Sequence, residues 1–524
     1  MYKPTLINAL KLVKKAQYLM IRQAERGVLF DQEKAKKLLF KIDVKLDEIA
    51  KEVEPQLPRR QLSESCLKKP PKNQFKKDGQ PSALAIKYFD DVKNTGTDEK
   101  PVWTFNLAGE RVPLPYHDPL VTTATMTLAN QKDLKVWLLD EGWSPIFWNY
   151  KKDSSGKFLR DSRNQLIKAS PKLQEAGVLC PNLDELSTPI VKKVITWLSL
   201  RNRRSTLESL RDNELGWLNN SRLLVDGRLP ASTSGPAVSW RQKHRVVVNV
   251  PKAQDNVLLG KAFRSLFISI PGFDFIGWDA AGLEARVMAH YTYQYDGGEL
   301  ANLLLERDWH SVNAIAMFPD KVGHFDMDSE DFNNEHPEFK PWRSQAKNCA
   351  YALIYGCSVP KLAKMLGVDK DSAQVVYESF WDNNPALKQL KENLVIHWKD
   401  RQKKTIVCPV SGAVLHSRSE HSLLNLLFQH TGSFIMDMAG ILMDKWLGGI
   451  KFNSQGLPCY YYKGYECARL IYMHDEYEWE SQPEITEDIC KLGELSIKKA
   501  GEYLNLNVAL DAEAKVGINW KEVH

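Results

Sequence analysis

Apolar and polar residues repeat with a helical period over most of this chain. Residues 5–52 carry that pattern twice, with a break at Gly27, after which Asp31 is placed to cap the second helix. A shorter pattern at residues 134–143 predicts a helix that ends at Gly142. Further helices are predicted over residues 188–212, 282–293, 300–318, 359–403, 420–447 and 485–503.

Strand-like patterns are fewer. The apolar run at residues 273–279 ends in Asp279, and the stretch at 470–480 alternates around a His-Asp-Glu tip. Residues 245–250 predict another strand, and residues 100–128 predict a short hairpin. Helices and strands are therefore both expected in this chain.

Two segments differ in composition from the rest. Residues 55–82 are rich in Lys, Arg, Pro and Gly, which predicts a surface loop, although a basic arm that touches nucleic acid or a partner fits the same residues. Residues 319–340 are acidic and predict an insertion before the next helix. The choice between loop and arm stays open at this point.

Overall composition indicates a soluble protein of several domains. The chain has 524 residues, 43% of them hydrophobic, and a net charge of +6, which is compatible with a polyanionic partner. Its eight cysteines are scattered without metal-binding spacing, as expected for reduced thiols. No apolar run approaches the roughly 18 residues of a membrane span. We therefore expect a cytoplasmic protein with no membrane partner.

One predicted helix carries a stripe of cations and aromatic hydroxyls. Its members recur every fourth residue and therefore share one side of the helix: Arg343, Lys347, Tyr351 and Tyr355. Cations suit a polyphosphate and aromatic rings suit a stacked base, so the stripe predicts a nucleoside triphosphate site. The same spacing is also typical of a solvated helix edge that passes into a packed core, and the stripe alone does not choose between the two.

Two aspartates, Asp279 and Asp475, each end an apolar strand. An aspartate after a strand is usually a turn former or a helix cap, so neither residue is diagnostic alone. Two fixed carboxylates can, however, share two magnesium ions that stabilise the attacking and leaving oxygens of a phosphoryl transfer. Together with the stripe, the pair predicts an enzyme that transfers nucleotides.

Three motifs then point to a family. WDAAGLEAR, RSQAKNCAYALIYG and MHDE resemble motifs A, B and C of the family A (Pol I-like) DNA polymerases, in the same order. The stretches DWHSVN and NLLFQHTGS are similar to the phage replicative branch. The resemblance extends from about residue 18 to residue 524 and is weakest at 55–120 and 319–341. It implies an α+β fold of the right-hand polymerase type, with an antiparallel sheet in the palm and helical fingers and thumb.

The resemblance implies a role for each matching residue at the metal site. Asp279 and Asp475 would hold two Mg²⁺ ions, for which Mn²⁺ can substitute, and the carbonyl of Ala280 would add one ligand. Glu476 would support the site from beside it. Ala281 stands where the family usually has serine, which leaves these roles unchanged.

The resemblance also implies how a nucleotide would bind. Arg343, Lys347 and His310 would grip the triphosphate, and Lys347 would donate a proton to the leaving pyrophosphate. Tyr351 would pack against the incoming sugar and base. Because many relatives carry phenylalanine there, we expect this chain to accept dideoxynucleotides readily. Tyr355 would stand at the templating position, and Glu284 would block a ribose 2′-hydroxyl.

DNA contacts follow from the same resemblance, with one departure. Asn425 and Gln429 would contact the minor groove of the primer-template, and His474 would touch the primer end. Pro236 stands where the family has an arginine that contacts the primer, so Arg241 or Arg245 would have to replace it. A further backbone contact is assigned to Arg204, in the arginine-rich end of the predicted helix at 188–212.

The resemblance divides the chain into six parts. They are N-terminal helices that join the base of thumb and palm at 1–54, a basic insertion and hairpin at 55–128, the thumb at 129–229, the first palm segment at 230–299, the fingers at 300–410 and the second palm segment at 411–524. The polymerase-like similarity starts too near Met1 to leave room for an exonuclease domain, so we expect no 3′–5′ proofreading in this chain.

The implied function is DNA synthesis on a primer-template from dNTPs, in replication of a phage genome within the host cytoplasm. A separate exonuclease or processivity factor remains open as a partner. Two alternatives are a single-subunit RNA polymerase, against which Glu284 and the MHDE motif argue, and an inactive DNA-binding accessory subunit, against which both aspartates, Arg343 and Lys347 argue.

Overall fold

The structure is a computed structural model that divides into two compact units. One unit contains Met1–Lys34 and Trp217–His524, and the other contains Ala35–Gly216. The structure describes residues 2–61, 72, 76–78, 80, 82–87, 123–162, 165–175, 178–211, 214–306, 308–325 and 336–524.

A six-stranded antiparallel sheet forms the centre of the first unit. Its strands are β14 (Asp274–Ala280), β17 (Lys451–Phe452), β18 (Pro458–Tyr462), β19 (Tyr465–Met473), β20 (Glu476–Ser481) and β21 (Ala512–Gly517), in the spatial order β17-β18-β19-β20-β14-β21. β14 is buried over most of its length and pairs with β20 on one side and β21 on the other. Motif A is therefore held between two neighbouring strands.

Smaller strands complete the first unit. They are β1 (Val28–Phe30), β10 (Arg228–Leu229), β11 (Ala231–Pro236), β12 (Gln242–Val246), β13 (Phe267–Ile268), β15 (Thr405–Val407) and β16 (Val414–His416). β1 lies between β10 and β13, whereas β11 pairs with β12 and β15 pairs with β16 as separate hairpins.

Helices of the first unit surround the sheet and continue into a helical region with the same core. Their bounds are α1 (Leu6–Arg26), α5 (Ser221–Asp226), α6 (Gly260–Arg264), α7 (Leu283–Asp296), α8 (Glu299–Glu306), α9 (Trp309–Met317), α10 (Pro319–Val322), α11 (Lys340–Ile354), α12 (Val359–Leu366), α13 (Lys370–Asn383), α14 (Pro385–Asp400), α15 (Leu423–Trp446) and α16 (Thr486–Tyr503). α15 is buried along nearly its whole length because it packs against α1, α7, α14 and α16.

A buried ion network ties α1 to the sheet. Arg26 ends α1 and places its guanidinium 2.6 Å from Glu480 and 2.8 Å from Glu466. Arg26 and Glu480 are both buried, and Arg228 approaches the same Glu480 carboxylate at 3.8 Å. The charges in this network neutralise one another where water is excluded.

The second unit is smaller, and its described residues contain short strands and further helices. The long helix α2 (Gln32–Val53) starts in the first unit and continues into this one. The elements that follow are β2 (Arg60–Gln61), β3 (Thr123–Ala124), α3 (Gln131–Asp140), β4 (Trp148–Tyr150), β5 (Lys168–Pro171), β6 (Gln174–Glu175), β7 (Val178–Leu179), α4 (Pro189–Leu207), β8 (Leu210–Arg211) and β9 (Glu214–Leu215).

The predicted α+β class is confirmed, and so are most predicted elements. The break at Gly27 is present, and Asp31 accepts a hydrogen bond from the backbone of Lys34 as a cap. Most of the predicted hairpin at 100–128 and much of the basic segment at 55–82 lie outside the described residues. Among the described residues, we find no helix with the length and apolar character needed to cross a bilayer.

Two predicted helices were wrong in extent. The helix at 188–212 ends at Leu207, because the backbone at Leu210–Arg211 pairs with β9 instead. The helix at 300–318 is two helices, because the Asp308 side chain accepts a hydrogen bond from the backbone N–H of His310 and thereby starts α9.

Two strand predictions also need correction. The strand placed at 245–250 is shifted towards the N-terminus, since β12 ends at Val246, which has a left-handed φ of 63°. No strand was predicted after α16, yet Ala512–Gly517 form β21 beside β14. Its sequence AEAKVG has few large apolar residues, so its strand character comes from pairing with the sheet rather than from its own pattern.

Candidate active site

The sheet brings the two predicted aspartates to one place. Asp279 lies near the end of β14, directly opposite Glu476 in β20. Asp475 occupies the tight turn between β19 and β20, and its carbonyl oxygen accepts a hydrogen bond of 3.0 Å from the N–H of Ala280. Motifs A and C, far apart in sequence, therefore meet at one edge of the sheet.

Electrostatics at this edge suit a cation. Solvent reaches both aspartates, yet the surrounding protein atoms strip away much of their hydration. This desolvation, followed by repulsion from Asp475 and Glu476, raises the pKa of Asp279 to about 7. The pKa of Asp475 is also raised, mainly by desolvation. A divalent cation between the two carboxylates would relieve this repulsion, so the residues fit a metal site.

Few other ligands accompany the aspartate pair. Within the described ranges, no group of three or more His, Cys, Asp or Glu side chains is gathered in a way that would hold a metal ion. A backbone oxygen is one further ligand available there, as predicted for Ala280, which is buried at the end of β14.

Glu476 is held from the other side by two basic residues. Its carboxylate is buried, and it lies 3.3 Å from the guanidinium of Arg264 and 2.7 Å from Nδ1 of His524. Desolvation acts to raise the pKa of Glu476, but the bonds to His524 and Arg264 outweigh it and lower that pKa overall. The roles of Arg264 and His524 beside Glu476 were not predicted, because each of the two lies far from motif C in sequence.

The predicted stripe lies on α11, with one change at its end. Arg343 and Lys347 are in the helix, whereas Tyr355 follows the last helical residue as its cap. Arg343 is paired with Asp308, the residue that caps α9. Lys347 is exposed and lies near enough to His310 to repel a proton from its ring.

His310 is brought beside this stripe by α9. Burial and the nearby charge of Lys347 lower the pKa of His310 to about 4, so its imidazole is neutral at pH 7. Its ring lies 5.7 Å from the ring of Tyr351. Arg343, Lys347 and His310 therefore form one cluster, in which only the first two residues carry positive charge at pH 7.

Two tyrosines continue the stripe towards motif A. The rings of Tyr351 and Tyr355 lie 6.2 Å apart, and the hydroxyl of Tyr355 donates a hydrogen bond to Glu284 on α7. Burial raises the pKa of the Glu284 carboxyl group, and it raises that of the Tyr355 hydroxyl well above its usual range. This bond fixes the position of both side chains between motifs A and B.

A cavity of about 120 Å³ joins the two halves of the site. Its lining includes Glu284 and Tyr355 on one side and His474 and Asp475 on the other. Arg241, at the end of the β11–β12 turn, also lines it. Of the two arginines left open above, the structure therefore places Arg241 at the site, whereas Arg245 lies in β12 opposite Ser232.

His474 is held in an unusual conformation at this cavity. Its backbone φ is 64°, in the left-handed region that few non-glycine residues adopt. Its ring packs edge-on against His244, with a centroid distance of 5.6 Å. The tight turn that presents Asp475 therefore also presents the imidazole of His474.

Asn425 and Gln429 lie one turn apart on α15 and line a larger groove of about 900 Å³. The other wall of this groove carries Lys403, Lys404 and Arg418, in and after the connection from α14 to β15 and β16. These cations were not predicted, although the two consecutive lysines before β15 could have indicated a basic surface. A groove lined by amides and cations suits a nucleic acid.

Arg204 is the one predicted DNA contact that lies in the second unit. Its guanidinium is 2.7 Å from Asp43 and 2.9 Å from Glu208. Arg204 would have to break its ion pairs with both carboxylates before it could bind a phosphate. Its DNA contact stays a prediction.

Comparison with known proteins gives three kinds of similarity. A model of DNA polymerase family A matches residues 181–522. The chain is 27% identical to the DNA-directed DNA polymerase of Enterobacteria phage T3 over 47% of this chain and 33% of that protein. It is 26% identical to the DNA-directed DNA polymerase of Escherichia phage Phieco32 over 57% of this chain and 56% of that protein. The chain thus spans a third to about half of these relatives.

A solved structure shares the fold. The polymerase domain of Pol1 from M. smegmatis, in complex with DNA primer-template and dNTP, matches 97% of this chain and 70% of its own with a TM-score of 0.62. At 16% identity, this likeness concerns the fold alone. The predicted right-hand α+β polymerase fold is confirmed.

Proposed function

The chain belongs to DNA polymerase family A, and on that premise we propose that it extends a DNA primer on a template, using deoxynucleoside triphosphates. The observation that carries the proposal is the meeting of Asp279 and Asp475 at one sheet edge. A cluster of two cations and a neutral histidine on α9 and α11 lies in the same unit. Carboxylates for metal and cations for phosphate are the two requirements of nucleotidyl transfer.

The metal site would use the two aspartates and the carbonyl of Ala280. We propose Mg²⁺ as the natural ion, with Mn²⁺ able to replace it, because carboxylate and carbonyl oxygens suit hard cations. Two bound ions would stabilise charge on the attacking and leaving oxygens of an in-line displacement. Glu476, held by Arg264 and His524, would keep the Asp475 turn in position.

The triphosphate would bind at the cluster on α9 and α11. Arg343 would exchange Asp308 for a phosphate oxygen, which keeps its charge neutralised in both states. His310, neutral at pH 7, would donate a hydrogen bond without adding charge. Lys347 is exposed and can place a proton on the leaving pyrophosphate.

Sugar selection would depend on the bonded pair Glu284 and Tyr355. Because the Tyr355 hydroxyl donates to the Glu284 carboxylate, the two side chains are fixed in place and can exclude a 2′-hydroxyl by steric contact. Tyr351 would lie against the sugar and base of the incoming nucleotide, and Tyr355 at the templating position.

The duplex would lie along the groove lined by Asn425 and Gln429, with its primer end near His474 and Arg241. Arg241 would supply the contact that Pro236 cannot make. We propose replication of a phage genome as the setting, in the host cytoplasm, with palm, fingers and thumb at the boundaries given above.

Primer extension with Mg²⁺ tests the proposal. Asp475→Asn should lower the extension rate by about 1,000-fold or more, because the site loses several kcal/mol of transition-state stabilisation. The matched control is Asp488→Asn, an exposed carboxylate paired with Lys463, which should extend normally. Efficient use of ribonucleotides would instead favour an RNA polymerase, and no extension by the wild-type chain would favour an accessory subunit.

A further inference from the structure

His430 joins the core of the first unit to the turn that carries Arg241. It lies on α15, one residue after Gln429, and only 1% of its surface is exposed. Its Nδ1 atom is 2.9 Å from the backbone carbonyl oxygen of Ser239, which lies in the turn between β11 and β12. Two residues further along this turn is Arg241, which lines the cavity beside Asp475. A buried side chain therefore contacts the backbone that presents a site residue.

The two hydrogen bonds of the His430 ring have a defined direction. A carbonyl oxygen can only accept, so Nδ1 carries a proton and donates it to Ser239. Nε2 is 2.7 Å from the hydroxyl of Ser411, in the loop between β15 and β16. The Ser411 oxygen accepts a hydrogen bond from the N–H of Ala413, which leaves the hydroxyl proton free for Nε2. Both ring nitrogens are thus satisfied, and a flipped ring would lose both bonds.

Trp240 lies between Ser239 and Arg241 in an unusual conformation. Its backbone φ is 62°, in the left-handed region that a bulky residue rarely adopts and that persists only where surrounding contacts hold it. The turn is closed by hydrogen bonds from the N–H of Ala237 to Arg241 and from the N–H of Trp240 to Ala237. The ring of Trp240 meets the ring of His430 edge-on, with the centroids 5.6 Å apart. His430 therefore contacts the turn at two successive residues.

The charge of Arg241 acts on three groups of the site. Desolvation raises the pKa of Glu284 and that of Asp475, and Arg241 opposes the rise at both. Burial lowers the pKa of His474, and the same positive charge lowers it further. Within the ranges that the structure describes, Arg241 has no ion pair with a carboxylate, so the position of its guanidinium depends on the turn.

We infer that His430 is a positioning residue that holds Arg241 at the primer end. The inference rests on the proposed function, in which Arg241 replaces the contact that Pro236 cannot make. The pairing of β11 with β12 is irregular next to the turn, since its register shifts between Thr233 and Pro236. An anchor outside these two strands is therefore needed, and the ring of His430 supplies it at the two residues before Arg241.

A double-mutant cycle on primer extension tests the inference. Arg241→Gln should raise the KM for primer-template about 10- to 100-fold, the effect of losing a hydrogen bond from a charged group. His430→Gln has no donor at the position of Nδ1, so it should raise the same KM about 2- to 10-fold. If His430 acts through Arg241, the double variant should match Arg241→Gln alone to within about twofold.

Thr431→Val is the matched control for this cycle. Thr431 is the next residue on α15, is also buried, and would lose a hydrogen bond of 2.7 Å to the hydroxyl of Tyr291 on α7 rather than a bond to the turn. Any effect of Thr431→Val on KM should therefore multiply with that of Arg241→Gln. Multiplied effects of His430→Gln and Arg241→Gln would overturn the inference, because the histidine would then act only as a part of the core.

Rescue by asparagine tests the bond to Ser239 itself. His430→Asn places an amide N–H close to the position of Nδ1, whereas His430→Gln places its amide near Nε2. His430→Asn should therefore raise KM less than His430→Gln does, and an equal rise would overturn the inference. If His430→Gln does not fold, Trp240→Leu takes its place in the cycle, since it removes the ring that meets His430.

Hydrogen exchange separates this inference from the proposed reaction. In His430→Gln, the amides of Ala237 and Trp240 should exchange about tenfold faster than in the wild type, because the turn loses its anchor. Thr431→Val should leave their exchange unchanged. If the wild-type chain extends no primer, the proposed reaction fails, and the exchange rates still decide whether His430 holds the turn. Unchanged exchange in His430→Gln would overturn the inference.

Discussion

Tyr351 is the residue for which we propose that a single hydroxyl sets a substrate preference. Its ring is half-buried between His310 and Tyr355, and it lines a small cavity with Glu284. A dideoxynucleotide lacks the 3′-hydroxyl and so leaves one hydrogen bond of the site unmade. The hydroxyl of Tyr351 can form that hydrogen bond in its place. Phenylalanine has the same ring and cannot do so.

We therefore expect Tyr351→Phe to discriminate against dideoxynucleotides. The selectivity for deoxynucleotides over dideoxynucleotides should rise roughly 5- to 100-fold, the cost of one unsatisfied buried polar group. The measurement is chain termination in primer extension at a fixed ratio of the two substrates. Tyr377→Phe, on α13, is a control that should terminate like the wild type. Unchanged termination in Tyr351→Phe would refute the role given to the hydroxyl.

Individual site residues were predictable where a local pattern marks them. Asp279 and Asp475 end apolar runs, and the stripe on α11 has a helical spacing, so each could be found without the fold. The contacts of Arg264 and His524 with Glu476 could not be predicted, because they exist only after the chain has folded. The pairing of Arg343 with Asp308 was hidden for the same reason.

At the scale of elements, α16 fits against β14 through a glycine. Gly493 faces the indole ring of Trp278, and a Cβ atom at this position would lie 2.6 Å from that ring. Trp278 precedes Asp279 in β14. The position of β14 thus depends on the absence of one methyl group in a helix.

Gly493→Ala should therefore destabilise the protein. Overpacking of this kind costs about 1–3 kcal/mol, and the displaced ring should also slow primer extension. Urea unfolding measures the first effect. Gly432→Ala on α15 is the control, since its added Cβ would contact Leu283 at an ordinary 3.5 Å, and alanine favours a helix. If the two variants are equally stable, the packing of Trp278 is not as tight as described.

Elements were predicted where their own residues determine the secondary structure, and they were missed where contacts with neighbouring elements determine it. The long helices and β14 carry strong apolar patterns. β21 has small and polar residues and becomes a strand because β14 offers its free edge. The division of 300–318 at Asp308 depends on a side-chain cap that a periodic pattern does not show.

At the scale of the whole molecule, the Arg26 network joins parts of the first unit that are distant in sequence. Arg26 lies in the first helix, Arg228 in β10, and Glu466 and Glu480 in β19 and β20. No sequence pattern could have paired them. The network places four charged side chains at a position that apolar side chains would otherwise fill.

Arg26→Met should destabilise the protein by about 3–5 kcal/mol, because it leaves the buried Glu480 carboxylate without its closest partner. The measurement is the free energy of unfolding in urea. Lys45→Met is the control, since it removes an exposed pair with Glu48 and should change little. Adding Glu480→Gln to Arg26→Met should recover part of the loss. A small effect of Arg26→Met alone would contradict the description of a neutralised buried network.

The position of β14 in the sheet also has a consequence for synthesis on the ribosome. Both of its partner strands follow it in the chain, and the nearer one starts at Glu476, roughly 200 residues after Ala280. At about 5–20 residues per second, translation leaves this apolar strand without its partners for roughly 10–40 s. During that time its edges are open to other nascent chains, so the yield of native protein should depend on chaperones and rise at lower growth temperature.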